Sequence, residues 1–235
     1  MSDGLYVAMS GAVAQERAMD VTANNVANAN TNAFRAERVT FEEVLGGQGN
    51  LSFVTAEEAT VDATTGELRE TGNPLDLAVG GKGWFALQTP EGPRYTRAGE
   101  FRLAPGGELI DPRGNSVLDV GGNPLLVPPD AANVSVDPAG QVLADGIPVG
   151  QIQLVELNEG TLRNEGGNYY TARGAVAPLE NAQVVSGHLE GANFDPVRGM
   201  VDLIRISRNH ESLHQVMTTY REIDQRAVRE IGGPA

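Results

Sequence analysis

Apolar positions at the start of the chain recur in steps of four and three. Leu5, Met9, Ala12, Glu16, Met19, Ala23 and Val26 fall on one line, with Glu16 its single polar break. That spacing is a heptad seam and predicts one long helix. No Pro interrupts it, and it runs into Asn28-Ala29-Asn30-Thr31-Asn32, a stretch that favours caps and turns over further helix. A shorter irregular or helical piece with Phe34, Phe41 and Leu45 is expected next. The same period returns at the other end. Asp195 and Pro196 supply an N-cap and a first-turn Pro. Leu203, Ile206, His210, Leu213, Met217, Tyr220, Asp224, Ala227 and Ile231 then step by three and four until Gly232-Gly233-Pro234 stops the helix.

Between these seams the pattern changes to short apolar runs separated by turn signals. Ala104-Pro105-Gly106-Gly107, Asp111-Pro112-Arg113-Gly114, Asp137-Pro138-Ala139-Gly140 and Asp145-Gly146 punctuate runs such as Leu75–Val79, Trp84–Leu87 and Ile152–Leu157. This is the signature of an all-β region. The predicted fold class is therefore α+β, an all-β central domain flanked by long N- and C-terminal helices that pack together as a coiled coil. Residues 1–45 form the N-terminal assembly helix and turn, 46–74 an extended connector, 75–192 the β-rich body and 193–235 the C-terminal assembly helix. Neither apolar stripe is buried by its own helix, so the ends are expected to pack on each other and on neighbouring copies. The helix-packing residues on this reading are Leu5, Met9, Ala12, Met19, Ala23, Val26, Leu203, Ile206, Leu213, Met217, Tyr220 and Ile231. Asn24, Asn25 and Asn28 serve helix-end hydrogen bonding.

Charge narrows the partners. The formal net charge is -14, which argues against nucleic acid, because phosphate binding needs a basic surface. The acidity is concentrated in the middle, since residues 195–235 hold six Arg against six acids. There is no Cys, so thiolate chemistry and disulfides are excluded. No run approaches the ~20 apolar residues of a membrane span, and the N-terminus lacks the pattern of a cleaved signal peptide.

Several blocks resemble one family. Asn24-Asn25-Val26-Ala27-Asn28-Ala29-Asn30-Thr31 with Ala33-Phe34 is similar to the N-terminal signature of flagellar rod and hook proteins. Thr71-Gly72-Asn73-Pro74-Leu75-Asp76-Leu77-Ala78-Val79 leads into Gly83-Trp84-Phe85. Tyr95-Thr96-Arg97-Ala98-Gly99-Glu100-Phe101 follows, and Gly187-His188-Leu189-Glu190-Gly191-Ala192-Asn193 precedes the last helix. The blocks stand in family order along nearly the whole chain. Its length and its Gly72–Leu77 wording most resemble the proximal rod members, with distal rod members as the alternative. The resemblance implies a structural, non-enzymatic subunit without cofactor. It implies export through the flagellar type III apparatus without a cleaved signal. It also implies assembly with copies of itself and other rod proteins into a periplasmic, torque-transmitting rod of the basal body. Ala33 stands where the family often has Gly.

One motif suggests different chemistry. His210-Glu211-Ser212-Leu213-His214 matches H-E-x-x-H, in which two His one turn apart bind zinc and the Glu activates water. A zinc protease also needs a third protein ligand. Met217 and Tyr220 occupy the Gly and His positions of the extended motif, and the acids that follow lie on the same uninterrupted helix. No catalytic, cofactor or metal site is therefore assigned, and any metal held at this segment would be bound weakly and adventitiously by the two His alone. Gly80-Gly81-Lys82-Gly83 lacks the spacing of a phosphate loop and reads as a tight turn between strands.

Overall fold

A computed structural model of the chain describes residues 2–45, 52–57, 59–172, 174, 176–179 and 183–231. Residues 46–51 and 58 of the expected connector, the Gly232-Gly233-Pro234 stop and the side chain of Ile231 lie outside the described residues. Helix α1 spans Ser2–Ala27 and helix α2 spans Pro196–Ile231, with the β-rich region between them. The architecture is α+β. The chain divides into two compact units, one of Met1–Ala27, Glu37–Thr60 and Asp195–Ala235, the other of Asn28–Ala36 and Val61–Phe194.

In the first unit α2 begins as its sequence dictates. Asp195 Oδ1 accepts the N–H groups of Val197 and Arg198 at 2.9 and 3.3 Å, satisfying donors that have no partner inside the helix. The helices run antiparallel. Gly4 faces the Tyr220 ring and Gly11 faces Leu213, seven residues on in α1 and seven back in α2. Ala8, Ala12 and Met217 form the buried centre of the pair, with Leu5 and Leu213 against it. The sheltered side of α1 is a stripe of small residues: Gly4, Ala8, Gly11, Ala12, Ala14 and Ala18 are all buried or half-buried. Small side chains let two backbones approach closely, so they take the interface while larger apolar residues beside them stay outside. Phe41–Leu45 is a strand rather than the expected irregular or helical piece, and it pairs antiparallel with Ser52–Ala56 in register Val44↔Phe53. Ser10 Oγ accepts the Val54 N–H at 3.3 Å, fastening this hairpin to α1.

The second unit is built around the Trp84–Thr89 strand, in a 9-stranded sheet among the described residues. It pairs antiparallel with Gly92–Thr96 on one side. On the other it meets Leu154–Glu156 near its start and Ser116–Val117 near its end. Trp84, Phe85, Ala86 and Leu87 are all buried, which explains why this run reads as continuous apolar sequence instead of alternating. The main core gathers Leu77, Phe85, Leu87, Phe101, Leu109 and Val142, among others, with Phe85 and Phe101 edge-to-face at 5.1 Å. The turns follow their Asp residues. Asp111, Asp119 and Asp137 each use one carboxylate oxygen to accept two backbone N–H groups, two and four residues ahead. Asp145 and Gly146 both take positive φ, 49° and 82°, the conformation of a tight hairpin turn. Gly99 lies where an added Cβ would meet the Leu77 carbonyl oxygen at 1.8 Å, so only Gly lets these two segments touch.

A buried ionic cluster sits beside the smaller core of Trp84, Val155, Leu157, Leu162 and Tyr170. Arg35 and Glu190 are both fully buried, and Arg35 Nη2 lies 2.5 Å from Glu190 Oε1. Arg97 Nε is 3.6 Å from Glu190 Oε2, and its other nitrogens donate to the Val79 and Gly81 carbonyls at 3.4 and 2.6 Å. Both guanidinium carbons lie 5.9 Å from the Trp84 ring centre. Glu190 Oε1 also accepts the Gly66 N–H at 2.9 Å, and its backbone oxygen accepts the Ala33 N–H at 2.8 Å. Ala33 adopts φ 55°, the left-handed turn that Gly would enter without strain. Burial pulls the Arg97 pKa down, with Glu190 opposing that and Arg35 adding to it.

Three outcomes follow from this packing. Glu190→Ala strands the Arg35 charge in the core. Arg35 Nε and Nη1 have no hydrogen-bond partner among the described residues to compensate. The expected loss is about 3–5 kcal/mol, read from urea unfolding by Trp84 fluorescence. Gly11→Ala places a methyl at 3.5 Å from Leu213, an ordinary contact, and removes a mid-helix Gly. It should stabilise α1 by about 0.5–1 kcal/mol, measured as a higher helical melting midpoint. Tyr169 donates its hydroxyl proton to Asp111, and burial together with that bond raises its pKa above the ordinary 10.0. Above about pH 10 the unfolded chain releases this proton while the native chain holds it, so stability falls with rising pH. Tyr169→Phe should lose about 1–3 kcal/mol at neutral pH and show a shallower alkaline decline in urea midpoints.

Candidate functional site

The residues that set the helical unit apart are its exposed apolar ones. Tyr6, Met9, Val13, Phe41, Val44 and Val54 lie exposed on α1 and the hairpin, and Val197, Met200, Val201, Ile204, Val216, Ile223 and Val228 on α2. Among its described residues the β-rich unit has four of comparable size, Leu68, Val120, Leu126 and Ile147. The unit with the smaller core therefore carries most of the exposed apolar surface, the mark of a surface that meets another protein.

The sequence-predicted residues divide between the covered and the open faces. On α2, Leu203, Ile206, Leu213, Met217 and Tyr220 are buried or half-buried, as are the polar seam positions His210 and Asp224. On α1, Leu5, Ala12, Met19 and Val26 are sheltered, whereas Met9 is 50% exposed and Ala23 is exposed. Met9 instead lines a groove of about 680 Å³ with Tyr6, Val13, Arg17, Phe53 and Thr55. Met19 lines a second groove, of about 420 Å³, with Leu203, Ile204, Ser207, Arg208 and Glu211. Asn25 is buried, and its side chain exchanges two hydrogen bonds with the Glu37 backbone, at 2.8 and 2.9 Å. Asn24 is exposed. Asn28 closes the next turn, its backbone oxygen accepting the Thr31 N–H at 2.9 Å. Sequence reading missed the hairpin wall of the first groove, because a strand of five residues next to Gly-rich sequence carries little periodic signal.

His210 and His214 lie one turn apart on α2 with Nε2 atoms 3.1 Å apart. Among the described residues no group of three or more His, Cys, Asp or Glu is placed to hold a metal ion. No described helix is long and apolar enough to cross a membrane.

Three family models match the chain. They are "Flagella basal body rod protein" over residues 5–35, "Flagellar hook protein FlgE/F/G D1 domain" over 78–144 and "Flagellar basal body rod FlgEFG protein C-terminal" over 185–230. The chain is 36% identical to the flagellar basal-body rod protein FlgF of Caulobacter vibrioides, covering 99% of each. It is 35% identical to FlgF of Mesorhizobium japonicum, again over 99% of each. It is 32% identical to the rod protein FlgG of Bacillus subtilis, over 97% of this chain and 98% of that one. These matches are to structural proteins and not to enzymes, and they lend the protease reading of residues 210–214 no support. Helices with an exposed apolar surface at the chain ends, a β-rich centre and full-length identity of this order together place the chain in the flagellar basal-body rod protein family.

Proposed function

We propose that the chain is a subunit of the proximal rod, polymerising in the periplasm with copies of itself and with other rod proteins. The observation that carries this is the apolar surface left open on α1, the hairpin and α2. Those faces gain their burial from neighbours, so ordering of the chain ends and polymerisation are coupled. Residues 1–45 and 193–235 act as the assembly segments and 75–192 as the body they carry, with 46–74 linking the two. In the assembled rod the helices form a coiled-coil layer. Unlike faces that pair head to tail generate an open helix instead of a closed dimer. A subunit whose ends gain much of their stability on assembly stays soluble and passes unfolded through the type III export channel without a cleaved signal. The proximal position is supported by the FlgF names of relatives at 32–36% identity, against 30–32% for relatives named FlgG.

Val201, 61% exposed on α2, tests the open face without touching the helix pair. Val201→Asp should leave the purified chain folded and abolish its incorporation into basal bodies, scored by mass spectrometry of purified basal bodies and by swimming. Met217→Asp puts a charge into the buried centre of the helix pair, so it should unpair α1 and α2 and abolish incorporation while the β-rich unit stays folded, read as unchanged Trp84 fluorescence. Normal incorporation of both variants would overturn the assembly surface. Recovery of the wild-type chain with the hook-proximal half of a sheared rod would favour the distal position.

A further inference from the structure

His210 and His214 face each other across one turn of α2. Nε2 of His210 and Nε2 of His214 are 3.1 Å apart, with the rings at 78° to each other. A transition-metal ion bonds imidazole nitrogen at about 2.0–2.1 Å, so one ion bound to both nitrogens would subtend about 95–100° between them. That angle lies between the square-planar and tetrahedral values. As it stands the 3.1 Å spacing is a hydrogen bond between the two rings, which an ion taking both nitrogens would replace. The side chains sit in the middle of a continuous 36-residue helix, so the backbone holds their spacing fixed. His214 is exposed and His210 half-buried, which leaves the nitrogens reachable from solvent. Imidazole donors suit copper, nickel and zinc over magnesium or calcium.

We propose that His210 and His214 form a two-nitrogen chelate for a divalent transition-metal ion, with Cu2+ bound more tightly than Ni2+ or Zn2+. Water fills the remaining coordination positions, since no third His, Cys, Asp or Glu among the described residues completes a set. A two-ligand site of this kind binds an ion without the third protein ligand that zinc hydrolases use. Glu211, one residue from His210, lies about 100° round the helix and takes no part.

The test is titration of the full chain with Cu2+, Ni2+ and Zn2+ in a non-coordinating buffer, by calorimetry and, for Cu2+, electron paramagnetic resonance. One ion per chain is expected, with two-nitrogen coupling in the copper spectrum. His210→Ala and His214→Ala should each weaken binding by no less than the roughly 10- to 100-fold that loss of a supporting partner costs. His188→Ala and Glu211→Gln should bind as the parent does. Saturating Cu2+ should raise the melting midpoint of the helical signal, because the ion binds the native helix in preference to the unfolded chain. Circular dichroism of each variant verifies that the helix is intact. Undiminished binding by the His210→Ala/His214→Ala double variant would overturn the chelate, as would failure of the parent chain to bind any of the three ions.

Discussion

One carboxylate organises the body of this protein. Glu190 is fully buried and faces Arg35, also fully buried, with Arg97 at its other oxygen. Removing charges from water is unfavourable by several kcal/mol per ion, and only close pairing and additional hydrogen bonds offset that. The constraint propagates through the backbone. Glu190 accepts N–H groups from Gly66 and Ala33, Arg35 donates its own N–H to Tyr170, and Arg97 ties down the carbonyls of Val79 and Gly81. Segments from five distant parts of the chain, around residues 33–35, 66, 79–97, 170 and 190, are fixed around Trp84. Arg35, Arg97 and Glu190 lie in or beside sequence blocks that resemble those of rod and hook proteins, so three of those blocks meet where the chain crosses itself.

The two units handle their apolar residues in opposite ways. The β-rich unit encloses a large core and closes its turns with Asp side chains, leaving few exposed apolar groups. The helical unit buries Ala8, Ala12 and Met217 and leaves large side chains of both helices in water. A protein that had to be stable alone would bury that surface. A rod subunit leaves it for its neighbours, and this asymmetry connects the packing to the function.

The helices show how far local pattern reaches. The N-cap at Asp195 and the first-turn Pro196 are local features, and α2 starts where they place it. Most of the α2 seam is sheltered, because a wide apolar stripe points toward its partner whatever that partner is. On α1 the line of largest apolar residues and the line that α2 covers differ by about one position, and Met9 falls on the open side. Residue size predicts hydrophobic gain, whereas close helix approach selects Gly and Ala, and only the partner decides between the two.

By itself the sequence determined the order of elements, the α+β class, the β-turns at Asp111, Asp137 and Asp145, and the family. Each rests on contacts within a few residues or on ordered blocks. The tertiary structure decided which charges are buried. Arg35, Arg97 and Glu190 look like surface residues in any local window, and their pairing exists only once strands far apart in sequence converge. It also decided that Ala33 occupies a left-handed turn, because a single N–H directed at the Glu190 backbone outweighs a modest local strain. Periodicity sees neighbours along the chain, and long-range electrostatics needs neighbours in space.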